Sequence, residues 1–344
     1  MHFKTNIIYC LLFISTLISC QNKMEKYKWL PTESSPLLYP MNIYQGHLFL
    51  EDGSSVYIPC SGSSHTGWGY SGSTHSQGSD LKAVPVKLEV TWASFSENKF
   101  YTGSWDLPVD KIKELFKEGT VNWRTNEKQS YSSVVVGLAP GGVVVVWMYG
   151  NDQQVEIGRY QAKETSVSMK DYVPGNPTVS QKEYFDQFRK LDDPELEREY
   201  KEKGIQFGIW DTYRKKYNWR TTIEIPNHTF KNVTLEMYNG EEETLFNETI
   251  NKNPFKKRAI PRLLSYLFED KNGKQTVFEV KYLDEDEIFS LFKKLDENKP
   301  IEIVLQMNED LTNRRLVIKQ GNNEFPIQKI DVDNIWELKK YKSK

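Results

Sequence analysis

Alternating and helically spaced apolar positions divide this chain into strands and short helices, and one such arrangement occurs twice. Ala83 to Lys117 reads AVPVKLEVTWASFSENKFYTGSWDLPVDKIKELFK, and 176 positions later Ala259 to Lys293 reads AIPRLLSYLFEDKNGKQTVFEVKYLDEDEIFSLFK, aligned without a gap. Ala83, Pro85 and Leu88 fall on Ala259, Pro261 and Leu264. Leu107, Asp110, Ile112, Leu115 and Phe116 fall on Leu283, Asp286, Ile288, Leu291 and Phe292. Val86–Phe95, Phe100–Trp105, Arg262–Phe268 and Val277–Tyr282 are rich in β-branched and aromatic residues and predict strands. Ile112, Leu115 and Phe116, like Ile288, Leu291 and Phe292, share one face of a helix. Pro108 suits a first helical turn, and Asp284 with Glu287 is a carboxylate form of the capping box. A repeated strand–strand–helix unit predicts two related modules.

The remaining pattern extends that reading. Tyr44–Leu50 and Ser55–Pro59 alternate around Asp52-Gly53, a hairpin signal. Tyr131–Leu138 and Val143–Tyr149 are apolar strands around Ala139-Pro140-Gly141-Gly142, with Ile301–Met307 and Arg315–Lys319 as their counterparts. Between the modules, Ser180–Leu191 opens with a Ser180/Glu183 capping box, and Pro194–Lys203 follows Asp193, so both predict helices. Ile209–Arg220 then leads into a strand at Thr221–Ile225. The expected architecture is α+β: a polar tether at 20–36, a first β-rich module at 37–160, a helical connector at 161–216 and a second β-rich module at 217–344.

Composition narrows the class. The 344 residues suffice for two cores, and 13% aromatic with 27% charged residues describes a globular chain. A formal charge of −2 argues against a nucleic-acid partner. Lys4 followed by the apolar run Ile7–Ile18 reads as a signal peptide, residues 1–19. Leu17-Ile18-Ser19-Cys20 resembles the lipobox of bacterial lipoproteins, by which Cys20 becomes the acylated first residue of the mature protein. Acyl chains contribute about 0.8 kcal/mol per buried methylene, so the lipid bilayer is the first expected partner and the cell envelope, at the outer membrane, the expected location. Cys10 leaves with the signal, so Cys60 has no intrachain cysteine to pair with and is expected as a buried small hydrophobe.

Candidate chemistry is sparse. Ser61–Ser79, SGSSHTGWGYSGSTHSQGS, is a long Gly/Ser loop carrying Trp68, Tyr70 and His75. It is either a recognition surface displaying aromatic anchors or a mobile insertion with Trp68 tucked onto the core. His65 and His75 lack acidic or Cys neighbours, so no metal is expected. Gly141-Gly142 precedes a strand with no Lys-Ser/Thr, which excludes a phosphate loop. Glu97 and Asp110 could pair as acid and base, but turn and cap roles explain them. No G-x-S-x-G, H-E-x-x-H or compact His/Asp/Ser grouping occurs, so neither an enzyme nor a cofactor is expected. The aromatic and basic alternation of IWDTYRKKYNWR, with Arg214 and Trp219, fits a polyanion surface or a domain junction.

The run from Val84 to Phe116 together with IWDTYRKKYNWR resembles the bacterial lipoprotein family catalogued as domain of unknown function 2931. The residues that carry the resemblance are Trp92, Glu97, Lys99, Phe100, Tyr101, Leu107, Pro108, Arg214, Tyr217 and Trp219. The family brings no assigned activity. Some relatives look like immunity lipoproteins that neutralise type VI secretion phospholipase effectors in the periplasm, which implies a secreted effector protein as partner. The expected function is therefore a lipid-anchored binding protein, with Trp68, Tyr70, His75, Trp92, Tyr101, Arg214 and Trp219 as candidate binding residues. A glycan-binding envelope lipoprotein is the alternative, and an envelope hydrolase a weaker one.

Overall fold

The computed structural model describes residues 24–330 and 334–338; the signal peptide and Cys20 lie outside the described residues. The first half of the chain forms β1 (Tyr27–Lys28), β2 (Leu30–Ser34), β3 (Met41–Leu50), β4 (Ser55–Tyr57), β5 (Leu81–Lys82), β6 (Pro85–Ser94), β7 (Lys99–Asp106), helix α1 (Val109–Glu118), β8 (Thr120–Val121), β9 (Lys128–Gln129), β10 (Ser133–Ala139), β11 (Val143–Gly150), β12 (Gln153–Gln161) and β13 (Lys163–Thr165). Four helices follow: α2 (Met169–Tyr172), α3 (Gln181–Arg189), α4 (Pro194–Lys203) and α5 (Ile209–Tyr213). The second half forms β14 (Lys216–Glu224), β15 (His228–Met237), β16 (Glu242–Phe246), α6 (Asn247–Lys252), β17 (Lys256–Ala259), β18 (Pro261–Asp270), β19 (Gln275–Val280), α7 (Glu285–Lys293), β20 (Ile301–Met307), β21 (Arg314–Gln320), β22 (Asn323–Ile327) and β23 (Ile335–Glu337).

This is a mixed α+β structure dominated by antiparallel sheet. In the first half, the sheet β13-β7-β6-β3-β4 faces strands β2-β10-β11-β12. Leu48, Val90 and Trp92 meet Val134, Val136, Val144 and Val146 between them, and Ile112 and Phe116 of α1 join the same core. In the second half, β16-β15-β18-β19-β23 faces β17-β14-β20-β21-β22, with Ile288 and Phe292 of α7 in the core. Each half contains one parallel pair, β2 with β10 and β14 with β20. The two halves also repeat particular contacts. The Trp29 indole donates to the Ala83 carbonyl at 3.3 Å, and the Trp219 indole to Ala259 at 2.9 Å. Leu107 N–H donates to Val86 and Leu283 N–H to Arg262, both at 2.8 Å. Tyr27 stacks on Phe116, and Tyr217 meets Phe292.

Edge strands β12 and β16 pair antiparallel at Gln154 and Glu242, which merges one layer of each half into a nine-stranded sheet. The outer face of β10 and β11 is covered as well. Val135, Val143, Val145 and Trp147 pack there under Trp68, Trp210 and Tyr213. Burial on both faces explains the unbroken apolar run of β11, which a one-sided strand would interrupt with polar residues. Helix α3 covers part of the opposite sheet through Phe185, which meets Phe95 and Phe100.

Three expectations need correction. The stretch 20–36 is not a free tether: β2 lies within it, and Thr32, Glu33, Ser34 and Ser35 are all buried. Its polar side chains have a polar partner, the Gly/Ser loop, so no apolar periodicity marks the strand. Thr32 Oγ1 accepts from Gly72 N–H at 3.0 Å, and the Glu33 carboxylate accepts from Ser73 N–H at 2.9 and 3.0 Å. Ser34 Oγ donates to the Gly67 carbonyl and accepts from Gly69 N–H, each at 3.0 Å, and Ser35 Oγ donates to Ser64. Second, Ile209–Tyr213 is a helix and the strand after it begins at Lys216, five residues before the expected start. Third, the Asp284 side chain does cap α7 at Glu287 N–H, but the Glu287 carboxylate accepts from Gln328 and Lys329 N–H, so the box does not close. The Ser180 side chain caps α3 at Glu183 N–H and Asp193 caps α4 at Glu195 N–H, but Glu183 makes no return bond to Ser180 N–H among the described residues, so that expected box does not close either.

The loop thus clasps the halves together. Trp68 is 5% exposed, edge-on to Trp147 at 5.0 Å and against Trp210 at 5.1 Å. Its carbonyl accepts from Arg262 Nη1 at 2.7 Å. Gly69 has φ +87°, and a Cβ there would lie 2.6 Å from the Gly240 Cα. Gln154 Nε2 donates to both the Gly69 and Gly240 carbonyls. A side chain at 69 would be strained in this backbone region and would push the two turns apart. Gly69→Ala should therefore cost about 2–4 kcal/mol, combining strain with overpacking. Trp68→Ala should cost about 3–5 kcal/mol through the cavity it leaves. Urea unfolding midpoints of the two variants check both values, and an unshifted midpoint in either would remove the loop from the account of stability.

Candidate functional site

The seven residues expected to bind a partner do not come together. Trp92 and Trp219 are fully buried core residues, and Tyr101 is 6% exposed with its hydroxyl donating to Glu97 at 2.7 Å. Trp68 is buried at the junction. These four present no surface to a partner, and their bulk instead fills the two cores and the seam. Arg214, at the C-terminal end of α5, forms a two-pronged pair with Glu156 of β12 at 2.7–3.0 Å. Tyr70 lies 4.2 Å beneath the Arg262 guanidinium and donates its hydroxyl to Glu236. His75 is exposed beside Tyr57, with ring centroids 5.7 Å apart. Glu97 accepts from Ser94, Tyr101 and Gly141 N–H, which holds the Pro140–Gly142 turn and accounts for its role. Cys60 is half-buried, and burial pushes its thiol up to about 12. Among the described residues, no three His, Cys, Asp or Glu side chains gather as a metal site, and no helix is long and apolar enough to cross a membrane.

A large concavity lies elsewhere, on the outer face of β16-β15-β18-β19-β23 where the second half meets the first. Strand alternation sends Val233, Leu235, Leu264 and Tyr266 into the core and the intervening residues outward. The register sets those outward residues in three transverse rows. Glu242, Glu236 and Leu263 form the row nearest the seam; Thr244, Thr234, Ser265 and Glu279 the middle row; Phe246, Asn232, Leu267, Val277 and Trp336 the third. Above them stands the β8–β9 hairpin of the first half, which contributes Trp123 and Arg124. The guanidinium of Arg124 lies 4.3 Å over the Trp123 ring, and the Trp123 indole donates to Asp152 at 3.2 Å. The main cavity encloses about 940 Å³ between Trp123, Phe246, Leu267 and Trp336, and a further 290 Å³ opens towards Glu236 and Glu242. That is the size and position usual for ligand sites, which favour domain junctions.

Two polar groups in this groove lack partners. Asn232 is 5% exposed, and its Nδ2, shielded from the groove itself, has no hydrogen-bond acceptor among the described residues. Glu242 faces Glu236 directly across the sheet and has neither a hydrogen bond nor an ion pair among the described residues. Its carboxyl is pushed up to about 8, first by burial, then by Glu236 and Asp152, against a smaller opposing pull from Arg262. Glu236 differs because Arg262 Nε, at 3.4 Å, and Tyr70 both reach it. In the sequence, Glu241-Glu242-Glu243 reads as a solvated run beside a turn. Glu241 and Glu243 are enclosed to a similar degree but pair with Lys216 and with Lys256 and Arg258; the sheet register sets Glu242 between them opposite Glu236.

A second hollow of about 500 Å³ lies on the outer face of β3, β6 and β7, beside His47, Glu89, Thr91, Thr102 and Ser104. Trp105 stacks on Tyr160 at its edge, with ring centroids 5.4 Å apart.

Fold and site together define a β-rich protein with two packed cores and a groove between the halves. The family model described as "Protein of unknown function (DUF2931)" matches residues 18–208, and the chain belongs to that family. No curated protein and no solved structure matches it.

The Glu242 carboxyl makes a measurable prediction. Its folded-state value is raised above the unfolded one, so between about pH 4.5 and 8 the folded protein holds a proton that the unfolded chain has released. Stability contributed by the neutral carboxyl is fully present below pH 4.5 and is lost as pH rises towards 8. Glu242→Gln should flatten that part of the stability profile and stabilise the protein by about 1–3 kcal/mol at pH 8, after allowance for partial solvent exposure. Urea melts at pH 5, 6.5 and 8 check this; equal slopes in both proteins would contradict it.

Proposed function

We propose that this chain is a lipid-anchored binding protein of the cell envelope, that it consists of two copies of one β-sandwich module, and that the groove at their seam takes the ligand. The observation that carries the binding reading is the cavity of about 940 Å³ at the seam, which opens towards Glu242, a half-buried carboxyl with no hydrogen bond or ion pair among the described residues. Leaving such a group unsatisfied costs about 1–3 kcal/mol. A ligand that supplies its partner offsets that cost. The placement of Trp123 and Trp336 supports the same reading, because large aromatic side chains serve as binding anchors.

The two-copy reading is supported by the 176-residue offset in sequence and by the repeated contacts of Trp29 with Trp219, Leu107 with Leu283, and Phe116 with Phe292. The family match ends at residue 208, before the second copy begins. Of the expected connector 161–216, Lys163–Thr165 joins the first-half sheet beside β7 and Lys216 begins β14, so residues 169–213 serve in this reading as the helical connector. Anchoring rests on the resemblance of Leu17–Cys20 to a lipobox, and the outer membrane is the location proposed. The resemblance to immunity lipoproteins makes a secreted antibacterial effector, such as a phospholipase, the partner to test first; the protein blocks that partner and performs no chemistry of its own. The Trp105–Tyr160 stack beside polar Thr91, Thr102 and Ser104 favours glycan binding as a second reading.

Two measurements test these proposals. Cys20→Ser should abolish incorporation of labelled palmitate and move the protein from the membrane to the soluble fraction; retained label would exclude the anchor. The mature chain with Cys20→Ser, immobilised and exposed to proteins secreted by type VI-active cells, should retain one effector, and Trp336→Ala should weaken capture at least tenfold. Retention of polysaccharide instead, unaffected by Trp336→Ala, would transfer the function to the Trp105 hollow.

A further inference from the structure

The groove and the smaller hollow occupy the same place on the two halves. Strands β7, β6 and β3 pair in the same order as β19, β18 and β15. Strands β3 and β15 even carry irregularities at matching points, before Gln45 and Asn232 and after Phe49 and Glu236. Register therefore places Leu267 where the first half has Thr91, Val277 where it has Thr102, and Trp336 where it has Lys163. One fold position is built with polar side chains in the first half and apolar ones in the second, so the sheet itself does not require the apolar set. An outer sheet face is ordinarily polar, and an apolar row on it marks a surface to be covered. With Phe246 the row crosses five strands, from β16 to β23, roughly 19 Å at about 4.8 Å per strand.

Charge distinguishes the two ends of that row. Three charged side chains line the main cavity: Arg124, Lys231 and Glu337. Lys231 pairs with Glu269 at 3.6 Å and Glu337 with Lys274. Arg124 lies over the Trp123 ring and meets no carboxylate among the described residues, whereas Arg214, Arg258 and Arg262 each do. Its hairpin reaches the sheet at the β16 end, where Asn247 Nδ2 donates to Asn126 at 3.2 Å. The carboxyls of the adjoining smaller cavity do not oppose an anion there. Glu236 is matched by Arg262 and Tyr70, and Asp152 by the Trp123 indole. Burial pushes the Glu242 carboxyl up to about 8, so near neutral pH it is largely protonated and can donate to an anion.

Resting on the reading of this groove as the binding site, we propose that its ligand is a single-chain fatty acid, with its carboxylate on the Arg124 guanidinium and its alkyl chain lying along Phe246, Leu267, Val277 and Trp336 towards β23. A guanidinium matches a carboxylate with two parallel donors. The sheet offers one apolar row, which suits one chain and leaves the second chain of a diacyl lipid without a counterpart.

The test uses the mature chain with Cys20→Ser, delipidated on a hydrophobic resin, and four probes: tetradecanoate, tetradecyltrimethylammonium, hexanoate and phosphatidylglycerol vesicles. The soluble probes are kept below their micellar concentrations, and binding is followed through the indole N–H signal of Trp123. Tetradecanoate should bind at least tenfold more tightly than either other soluble probe. Arg124→Gln should remove the preference for the carboxylate head. Trp336→Lys, which places the first-half residue type there, should weaken tetradecanoate at least fivefold and leave hexanoate unchanged, a split that a merely structural role would not produce. Both side chains are exposed, and an unchanged urea midpoint verifies that each variant is folded. Equal affinity for the two heads, equal affinity for the two carboxylates, or no binding overturns the proposal. Binding to the vesicles that Trp336→Lys abolishes also overturns it, by assigning the groove to a membrane lipid. If the proposal is overturned while Trp336→Ala still weakens effector capture, the groove remains the binding site and only the ligand class falls. If capture is unaffected as well, both readings fall.

Discussion

The arrangement depends on one set of hydrogen bonds, those between the side chains of β2 and the backbone of the Gly/Ser loop. A glycine-rich segment has little apolar surface to bury, and its amides must find acceptors once water is excluded. Thr32, Glu33 and Ser34 supply acceptors, while Ser34 and Ser35 donate to loop carbonyls. With the backbone satisfied, the loop can carry Trp68 into the gap between Trp147 and Trp210 and bring Gly69 onto Gly240. Its polarity and its burial are therefore compatible.

The seam joins unlike edges. Strand β12 belongs to the layer of the first half that contains a parallel pair, and β16 to the layer of the second half that does not. In the two-copy reading this junction is head-to-tail and leaves the counterparts of its two strands, β4 and β22, at free sheet edges, where unpaired backbone invites association. Both edges are blunted. Gln77 donates to and accepts from the backbone of Tyr57, taking the place of a strand beside β4. Strand β22 carries Pro326, which offers no amide hydrogen. The loop that clasps the seam thus also shields the free edge.

The junction also produces the groove, because the β8–β9 hairpin of the first half overhangs a sheet face of the second. The groove's acidic end lies where Asp152, Glu236 and Glu242 converge from three strand ends, and its apolar end lies towards β23. In the proposed reading, duplication supplied more than a second core: it supplied a surface that neither module has alone.

The sequence by itself determined the local elements. The strand pairs, α1 and α7, the Asp52-Gly53 hairpin and the caps at Ser180 and Asp193 were all legible, because side-chain period and cap chemistry act within a few residues. The family resemblance marked Trp92, Tyr101 and Trp219 as residues of consequence, without showing that their consequence is packing. Strand β2 was hidden because its partner is polar, and burial by polar complementarity leaves no hydrophobic period. The groove was hidden because Trp123, Asn232, Glu242 and Trp336 come from four segments that meet only through sheet register. Tertiary structure alone decided that Trp68 would be buried and Glu242 left unpaired, since a pattern along the chain records which face is covered and not what covers it.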